Sequence, residues 1–431
     1  NRSRVLTIFW LVIYNAIVMP IAYSGLMILS HFNSKIKEGL KGRQTLWLNL
    51  QKFREEFPKR TVYLVHSASL GEFEQAKPVI RGIKTLRPDI LLVASFTSPS
   101  GFKNAERMPE VDLFTYLPID TFLQTRRFLQ KLRPTKIIFV TYELWPNLIF
   151  HANRYKIKTY LISARIRPDS SKLKPIIRHF FADLYRSLDY IYAISEEHKQ
   201  SVLKLIGSVK ITVLNLGDTR YDQVIERSKL LANKMVPRVF NDGFVFIGGS
   251  IWPQDARPLL PALYQCLKNF PDFKIILTPH EPNDYALEML EDEFQTHNIE
   301  TVRYSQLKGM PANVRVVLID RIGILAELYH QANLAFVGGS FRGSIHNVME
   351  PAVAGLPVLF GPSYHNSQEA ELLVQSGGGL VCLDEPGIYS TIKHLITKPD
   401  DYQKAAQSAR QVILKNMGAS SRTVQEILES E

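Results

Sequence analysis

One rhythm constrains this chain more than any other feature: short apolar runs closed by small or polar residues alternate with charged, helix-length segments. The runs "TVYLVH", "ILLVASF", "KIIFVTY", "KTYLISA", "YIYAIS" and "KITVLN" form a first series. A second comprises "FVFIGGS", "KIILTPH", "VRVVLID", "LAFVGGS", "PVLFGP" and "GLVCL". Near-continuous Val/Ile/Leu runs are what a strand buried on both faces requires, and the charged segments between them supply the covering helices. The pattern predicts an α/β chain of two tandem Rossmann-like, doubly wound domains with parallel sheets. A length of 431 residues fits two such domains and a terminal appendage better than one core.

The expected organisation is an N-terminal apolar segment over 1–34, a first domain over 35–225 and a second over 226–431 that includes the terminal helices. The boundary falls in the polar, helical stretch from Asp222 to Gly243, "DQVIERSKLLANKMVPRVFNDG". The cleft between two such domains is the default ligand site, because open α/β sheets bind at the carboxyl ends of their strands. From Val5 to Ser30 no residue is charged, and such a run crosses a hydrocarbon core of about 30 Å as a helix. Arg2 and Arg4 precede it, and Lys35, Lys37, Lys41 and Arg43 follow. The heavier basic run after the segment predicts an uncleaved single membrane anchor with a cytoplasmic body. An amphipathic helix lying in the interface is the alternative that Asn15, Pro20 and Gly25 keep open.

A formal net charge of +11 directs the chain toward acidic partners: nucleic acid, anionic lipid or phosphorylated substrates. No zinc-finger spacing or RNP-type aromatic motif accompanies the charge, so no nucleic-acid partner is expected. Hydrophobic content of 45% and charged content of 22% exclude a disordered chain and a multi-span membrane protein. Cys266 and Cys382 stand far apart, without disulfide or metal spacing, and read as packed thiols.

Five stretches carry candidate chemistry. In "HSASLGEFEQ" a buried strand ends in small residues and Glu72 follows at its carboxyl end, where it can serve as a general base. The alternative is that Glu72 and Glu74 only complement the N-terminal dipole of the next helix. In "TYELWPNL" a second strand-end carboxylate, Glu143, precedes Trp145, Pro146 and Asn147; a capped loop with a packed tryptophan is the competing reading. "IGGS" (Gly249, Ser250) and "VGGS" (Gly339, Ser340) put glycine turns at strand ends, either to admit a phosphate or simply to turn. In "FRGSIHNVMEP", His346, Asn347 and Glu350 fall three or four apart at the start of an expected helix, a spacing that lets a carboxylate accept ribose hydroxyls while Arg342 faces phosphate. A metal centre through His346 and His365 lacks a second ligand cluster, so none is expected.

Together, "HSASLGEFEQAKPVI", "FTSPSGF", "YLPIDT", "RRFLQKLRP", "YELWPNL", "SARI", "GDTRYD" and "FVGGSFRGSIHNVMEPAVAGLPVLFGP" resemble, in the same order, the Kdo (3-deoxy-D-manno-octulosonic acid) transferases of lipopolysaccharide biosynthesis. The resemblance implies two Rossmann domains in the glycosyltransferase B fold, a CMP-Kdo donor and a lipid A precursor as acceptor. It also implies a single N-terminal anchor in the inner membrane and no cofactor or metal. By the same resemblance Glu72 is the catalytic base, with Glu143 orienting the acceptor or tuning Glu72. Ser69 and Gly71 lie on the acceptor side, and His346, Asn347 and Glu350 hold the cytidine monophosphate, with Gly249, Ser250, Gly339, Ser340 and Arg342 near its phosphate. The chain has "TPHEP" where the family often shows Pro-Arg-His. A related transferase using a uridine-diphosphate sugar, and a non-catalytic glycolipid-binding protein, are the alternatives at this level.

Overall fold

A computed structural model of the chain describes residues 2–207, 211–232, 237–308 and 313–430. Residues 233–236 of the expected boundary and the side chains of Arg2 and Arg4 lie outside the described residues. The chain divides into two units, Asn1–Gln223 with Met417–Glu431, and Val224–Asn416.

In the first unit, strands β1 (Val62–Ser67), β2 (Leu91–Phe96), β3 (Leu113–Tyr116), β4 (Lys136–Val140), β5 (Lys158–Ala164), β6 (Tyr190–Ala193) and β7 (Thr212–Asn215) form one sheet. Its order is β3-β2-β1-β4-β5-β6-β7, with every neighbouring pair parallel. The order reverses between β1 and β4, which makes their carboxyl ends the topological switch point of the sheet. Alternate residues explain why the runs read as continuously apolar. Leu64, Val93, Ile137 and Leu161 enter the core on one face, and Val65, Leu92, Ile138 and Tyr160 enter the core on the other.

The second unit repeats the plan with β8 (Phe244–Ile251), β9 (Phe273–Pro279), β10 (Thr301–Arg303), β11 (Val316–Leu318), β12 (Leu334–Val337), β13 (Val358–Phe360) and β14 (Gly379–Val381), in the order β10-β11-β9-β8-β12-β13-β14. Here the switch point lies between β8 and β12. Every run singled out in the sequence becomes a strand. The two strands that pattern reading omits, β3 and β10, are sheet-edge segments of four and three residues, too short to show a period.

Residues Ile8–Leu29 form a helix long and apolar enough to cross a membrane. It is interrupted by a π-helical turn at Tyr14–Val18, and one side of it is fixed to the first unit. Asn15 and Asn147 exchange side-chain amide bonds of 2.8 and 2.9 Å. Trp10 meets Phe180 edge-on at 5.8 Å, and Tyr14 and Met19 are buried. Ile8, Phe9, Val12, Ile17, Ile21 and Ile28 remain exposed. A π turn widens the helix by one residue and swings the flanking side chains; here it sits where Tyr14 and Asn15 meet the domain.

The last helix, Ala419–Glu429, belongs to the first unit, whereas the sequence reading grouped it with the second. Two contacts dictate its place. Asp222 accepts hydrogen bonds from the Gly418 and Ser420 amides at 2.6 and 2.7 Å. Val424 packs so tightly over Gly82 that a Cβ there would lie 2.7 Å from its Cγ2.

Candidate functional site

At the first switch point, β1 runs into Ala68 and Ser69, and the helix Leu70–Leu86 begins. Ser69 is its N-cap and Glu72 the third helical residue, and the two form a capping box. Ser69 Oγ accepts from the Glu72 amide at 3.4 Å, and the Glu72 carboxylate accepts from the Ala68 and Ser69 amides. The capping reading is therefore correct for Glu72. It does not exhaust the residue, because the bonds to Ala68 and Ser69 both fall on Oε2. The side chain is 5% exposed. Burial, reinforced by the charge of Glu143, outweighs the two amide bonds and pushes its pKa up to about 7. A carboxyl titrating there is suited to take a proton near neutral pH. Ser69 and Gly71 are both exposed beside it. A Cβ on Gly71 would meet nothing within 4 Å, so packing does not require glycine there.

Across the switch point, β4 ends at Val140, and Thr141 adopts φ of 68°. A β-branched residue in that region is strained, and such strain gathers where a loop must be aimed. The loop then carries Glu143, which is half-buried; burial raises its pKa and Lys172 opposes the rise. Lys172 is a residue the sequence reading missed. Its ammonium lies 5.3–5.6 Å from the ring centroids of Tyr142, Phe181 and Tyr185, and burial lowers its pKa to about 8. No local motif announces it, because the cage combines Tyr142 from the loop after β4 with Phe181 and Tyr185 from the helix Pro175–Arg186.

The loop is pinned by Trp145, whose indole N–H donates to His66 Nε2 at 3.1 Å, while His66 Nδ1 meets Ser95 Oγ at 3.0 Å. His66 is 1% exposed, and burial drives its pKa down to about 3, so it is a neutral structural histidine. Beyond Trp145, Asp120 caps the helix Pro146–Arg154 by accepting from the Asn147 and Leu148 amides, each at 3.1 Å.

In the second unit the candidate residues separate into two groups. Gly249, Gly339 and Ser340 serve the fold. A Cβ on Gly249 would lie 2.2 Å from the Tyr329 hydroxyl. The Gly339 and Phe341 amides are taken by the buried Asp255 carboxylate at 2.7 and 3.1 Å, and Ser340 Oγ, fully buried, accepts from the Gly361 amide at 2.6 Å. Glycine-turn amides at "VGGS" are therefore engaged inside the protein. Ser250, at φ of 56°, closes β8 where its pairing with β9 shifts register.

The second group lies near the surface of the same switch point. Arg342 is exposed, with its guanidinium 3.7 Å from the ring centroid of Trp252. Trp252 stacks on His280 at 4.1 Å and donates its indole N–H to His346 Nε2 at 2.8 Å. Burial, and then His280, depress the His346 pKa. Asn347 is exposed, and its Oδ1 accepts from the Met349 amide at 2.9 Å. Glu350 pairs with Arg227 at 2.9 Å. The helix expected to carry all three begins only at Met349 and spans five residues, so His346 and Asn347 sit in the loop before it. Pro351 and Gly355 confine that helix to little more than a turn.

A model of the 3-deoxy-D-manno-octulosonic-acid transferase (kdotransferase) family matches residues 44–223, the segment that carries both strand-end carboxylates. A 3-deoxy-D-manno-octulosonic acid transferase of Rickettsia felis is 26% identical over 373 residues, covering 86% of this chain and 78% of the relative. One of Chlamydophila psittaci is 27% identical over 365 residues, covering 83% and 82%. Over most of its length the chain is similar to Kdo transferases at 26–27% identity, and its first unit matches their family model. This Kdo transferase homologue is thus an enzyme, a glycosyltransferase of two parallel α/β units in the glycosyltransferase B fold. Solved structures share the fold at low identity. A UDP-GlcNAc 2-epimerase of Neisseria meningitidis superposes with a TM-score of 0.64 at 15% identity, covering 86% of this chain and 100% of that one. A glycosyltransferase of Rickettsia africae gives 0.55 at 13%, with the same coverage. Among the described residues no three His, Cys, Asp or Glu side chains converge as a metal centre.

Proposed function

We propose that this chain transfers Kdo from CMP-Kdo to a lipid A precursor with inversion, and that Glu72 is the base. The observation that carries the reading is a carboxylate at the switch point of the first sheet whose pKa stands at about 7 and whose Oε1 is left outside the capping box. Glu72 takes the proton of an acceptor hydroxyl as that oxygen bonds to the anomeric carbon of Kdo. The bond from that carbon to the phosphate oxygen breaks on the opposite face, and CMP leaves with the electron pair. Glu143 keeps negative charge near Glu72 and so holds the base high, with Lys172 moderating Glu143. Ser69 and Gly71, exposed beside the base, take the acceptor side.

On the donor side, Asn347 and Glu350 would meet the ribose and Arg342 the phosphate. The engaged amides at Gly339 leave charge stabilisation to Arg342 and His346. No cofactor has a part in this scheme. The helix Ile8–Leu29 anchors the enzyme in the inner membrane, with the catalytic units on the cytoplasmic face beside the Lys35–Arg43 basic run, where an anionic lipid acceptor is found.

Calorimetric titration of the full chain with CMP and with UMP tests the donor assignment. Tighter binding of CMP is expected; a preference for UMP would move the enzyme to the uridine-nucleotide class.

A further inference from the structure

The protein contains the same side-chain pair twice, an indole N–H donating to a histidine Nε2, and the two copies differ in one respect. In the first unit both ring nitrogens of His66 are occupied, Nε2 by Trp145 and Nδ1 by Ser95, and the ring is sealed at 1% exposure. In the second unit Trp252 occupies Nε2 of His346, the ring is half-buried, and Nδ1 has no hydrogen-bond partner among the described residues. An imidazole whose Nε2 accepts a hydrogen bond is neutral and carries its proton on Nδ1. His346 is therefore a hydrogen-bond donor with no acceptor among the described residues.

Trp252 holds a second donor as well. The Arg342 guanidinium at 3.7 Å and the His280 ring at 4.1 Å both lie over the indole, so they must occupy opposite faces of it. His280 also stacks on His346 at 4.6 Å and thereby keeps the Trp252 and His346 rings, inclined by 12°, nearly in one plane. Arg342 is exposed, and its guanidinium donates no hydrogen bond to the described residues. Stacking on an indole fixes the plane of a guanidinium and leaves its N–H edge open. The separations of 3.7 and 6.3 Å from Trp252 put the guanidinium and the His346 ring roughly 7 Å apart, a gap that two N–H···O bonds of about 2.9 Å to one phosphate group can bridge.

We propose that Trp252 is a positioning residue for an anion: its N–H sets the tautomer of His346, its ring seats Arg342, and the two present an imidazole N–H and a guanidinium to a phosphate. This rests on reading the second unit as the side that holds the nucleotide, and it deepens that reading by naming what orients the phosphate contacts. Asp255 supports the arrangement by accepting from the Trp252 amide at 3.0 Å.

Trp252→Phe keeps an aromatic ring between Arg342 and His280 and removes the N–H along with part of the indole surface. Two measurements on the full-length protein in detergent separate the possibilities. The first needs no substrate: ¹⁵N spectra of histidine-labelled protein, with His346 assigned by its loss in His346→Gln. The native protein shows His346 protonated on Nδ1, and Trp252→Phe shifts it toward the Nε2–H tautomer. The second is CMP affinity, expected to fall about tenfold in Trp252→Phe, the effect of one misdirected hydrogen bond to an anion, with kcat/KM for the donor falling at least as far. An unchanged tautomer, or CMP affinity equal to that of the native protein, overturns the positioning role and leaves the nucleotide reading intact. Native protein that binds neither CMP nor pyrophosphate overturns the nucleotide reading itself. Should Trp252→Phe fail to fold, Arg342→Gln on the surface tests the same assembly: CMP affinity falls with the tautomer of His346 preserved, and unaltered affinity refutes the shared anion.

Discussion

Replacing Glu72 by Gln separates its two roles, because the capping box accepts Gln at this helical position as well as Glu. The amide oxygen can still receive the Ala68 and Ser69 amides, so the helix Leu70–Leu86 keeps its start. What disappears is the titration. The Glu72 pKa is raised from 4.5 to about 7, so the folded state holds a proton that the unfolded state releases. Such a group contributes stability below its unfolded pKa and loses it as pH climbs from about 4.5 through 7. At about 1.4 kcal/mol per pH unit the native carboxylate costs about 3 kcal/mol above neutrality. Weaker, uncharged capping bonds in the variant offset about 1 kcal/mol of that. Glu72→Gln should therefore melt within a degree or two of the native protein at pH 4.5 and roughly 4–8 °C higher at pH 8.5. Its kcat should drop about 10²–10⁴-fold, the range for losing a general base. Melting curves by circular dichroism at the two pH values, beside initial rates at pH 7.5, read both effects. A variant that melts lower at both pH values, or that turns over within tenfold of the native enzyme, refutes the reasoning.

Three further substitutions test the supporting structure. Gly249→Ala drives a methyl into the Tyr329 hydroxyl, 2.2 Å from the built Cβ, and should cost about 1–3 kcal/mol in chemical denaturation. Ser340→Ala leaves the Gly361 amide unbonded in a fully buried site; a loss of about 1–3 kcal/mol with the CMP dissociation constant unchanged would place Ser340 in the fold, whereas weakened CMP binding would return it to the ligand. Asn15→Leu breaks the reciprocal amide pair with Asn147 and should destabilise the first unit by about 1 kcal/mol, a fall of roughly 2–4 °C in Tm. An unchanged melting point would show that the helix Ile8–Leu29 is not held there.

The sheets were legible because a strand buried on both faces is apolar at most of its positions, as β1 shows up to Val65. Edge strands β3 and β10 need not obey it and were missed. The strand-end positions of Glu72 and Glu143 were legible because chain order places them after β1 and β4, on either side of a switch point. At Gly339 the sequence shows only half of the picture: a glycine-serine turn frees amides locally, and only the tertiary contact with Asp255, from another segment, shows the Gly339 and Phe341 amides bonded inside the protein. Trp252, His280 and Lys172 escaped notice because stacked rings and an aromatic cage draw on segments distant in sequence, and no local period marks them. The early end of the helix at Met349–Val353 could have been anticipated from Pro351 and Gly355.

The most direct test is turnover itself: purified full-length enzyme, CMP-Kdo and a lipid A precursor, with the product followed by mass spectrometry and CMP release measured alongside. The account predicts an acceptor heavier by one or more Kdo residues, with one CMP released per residue added. No Kdo product from folded enzyme, together with consumption of a uridine-diphosphate sugar on the same acceptor, would contradict it.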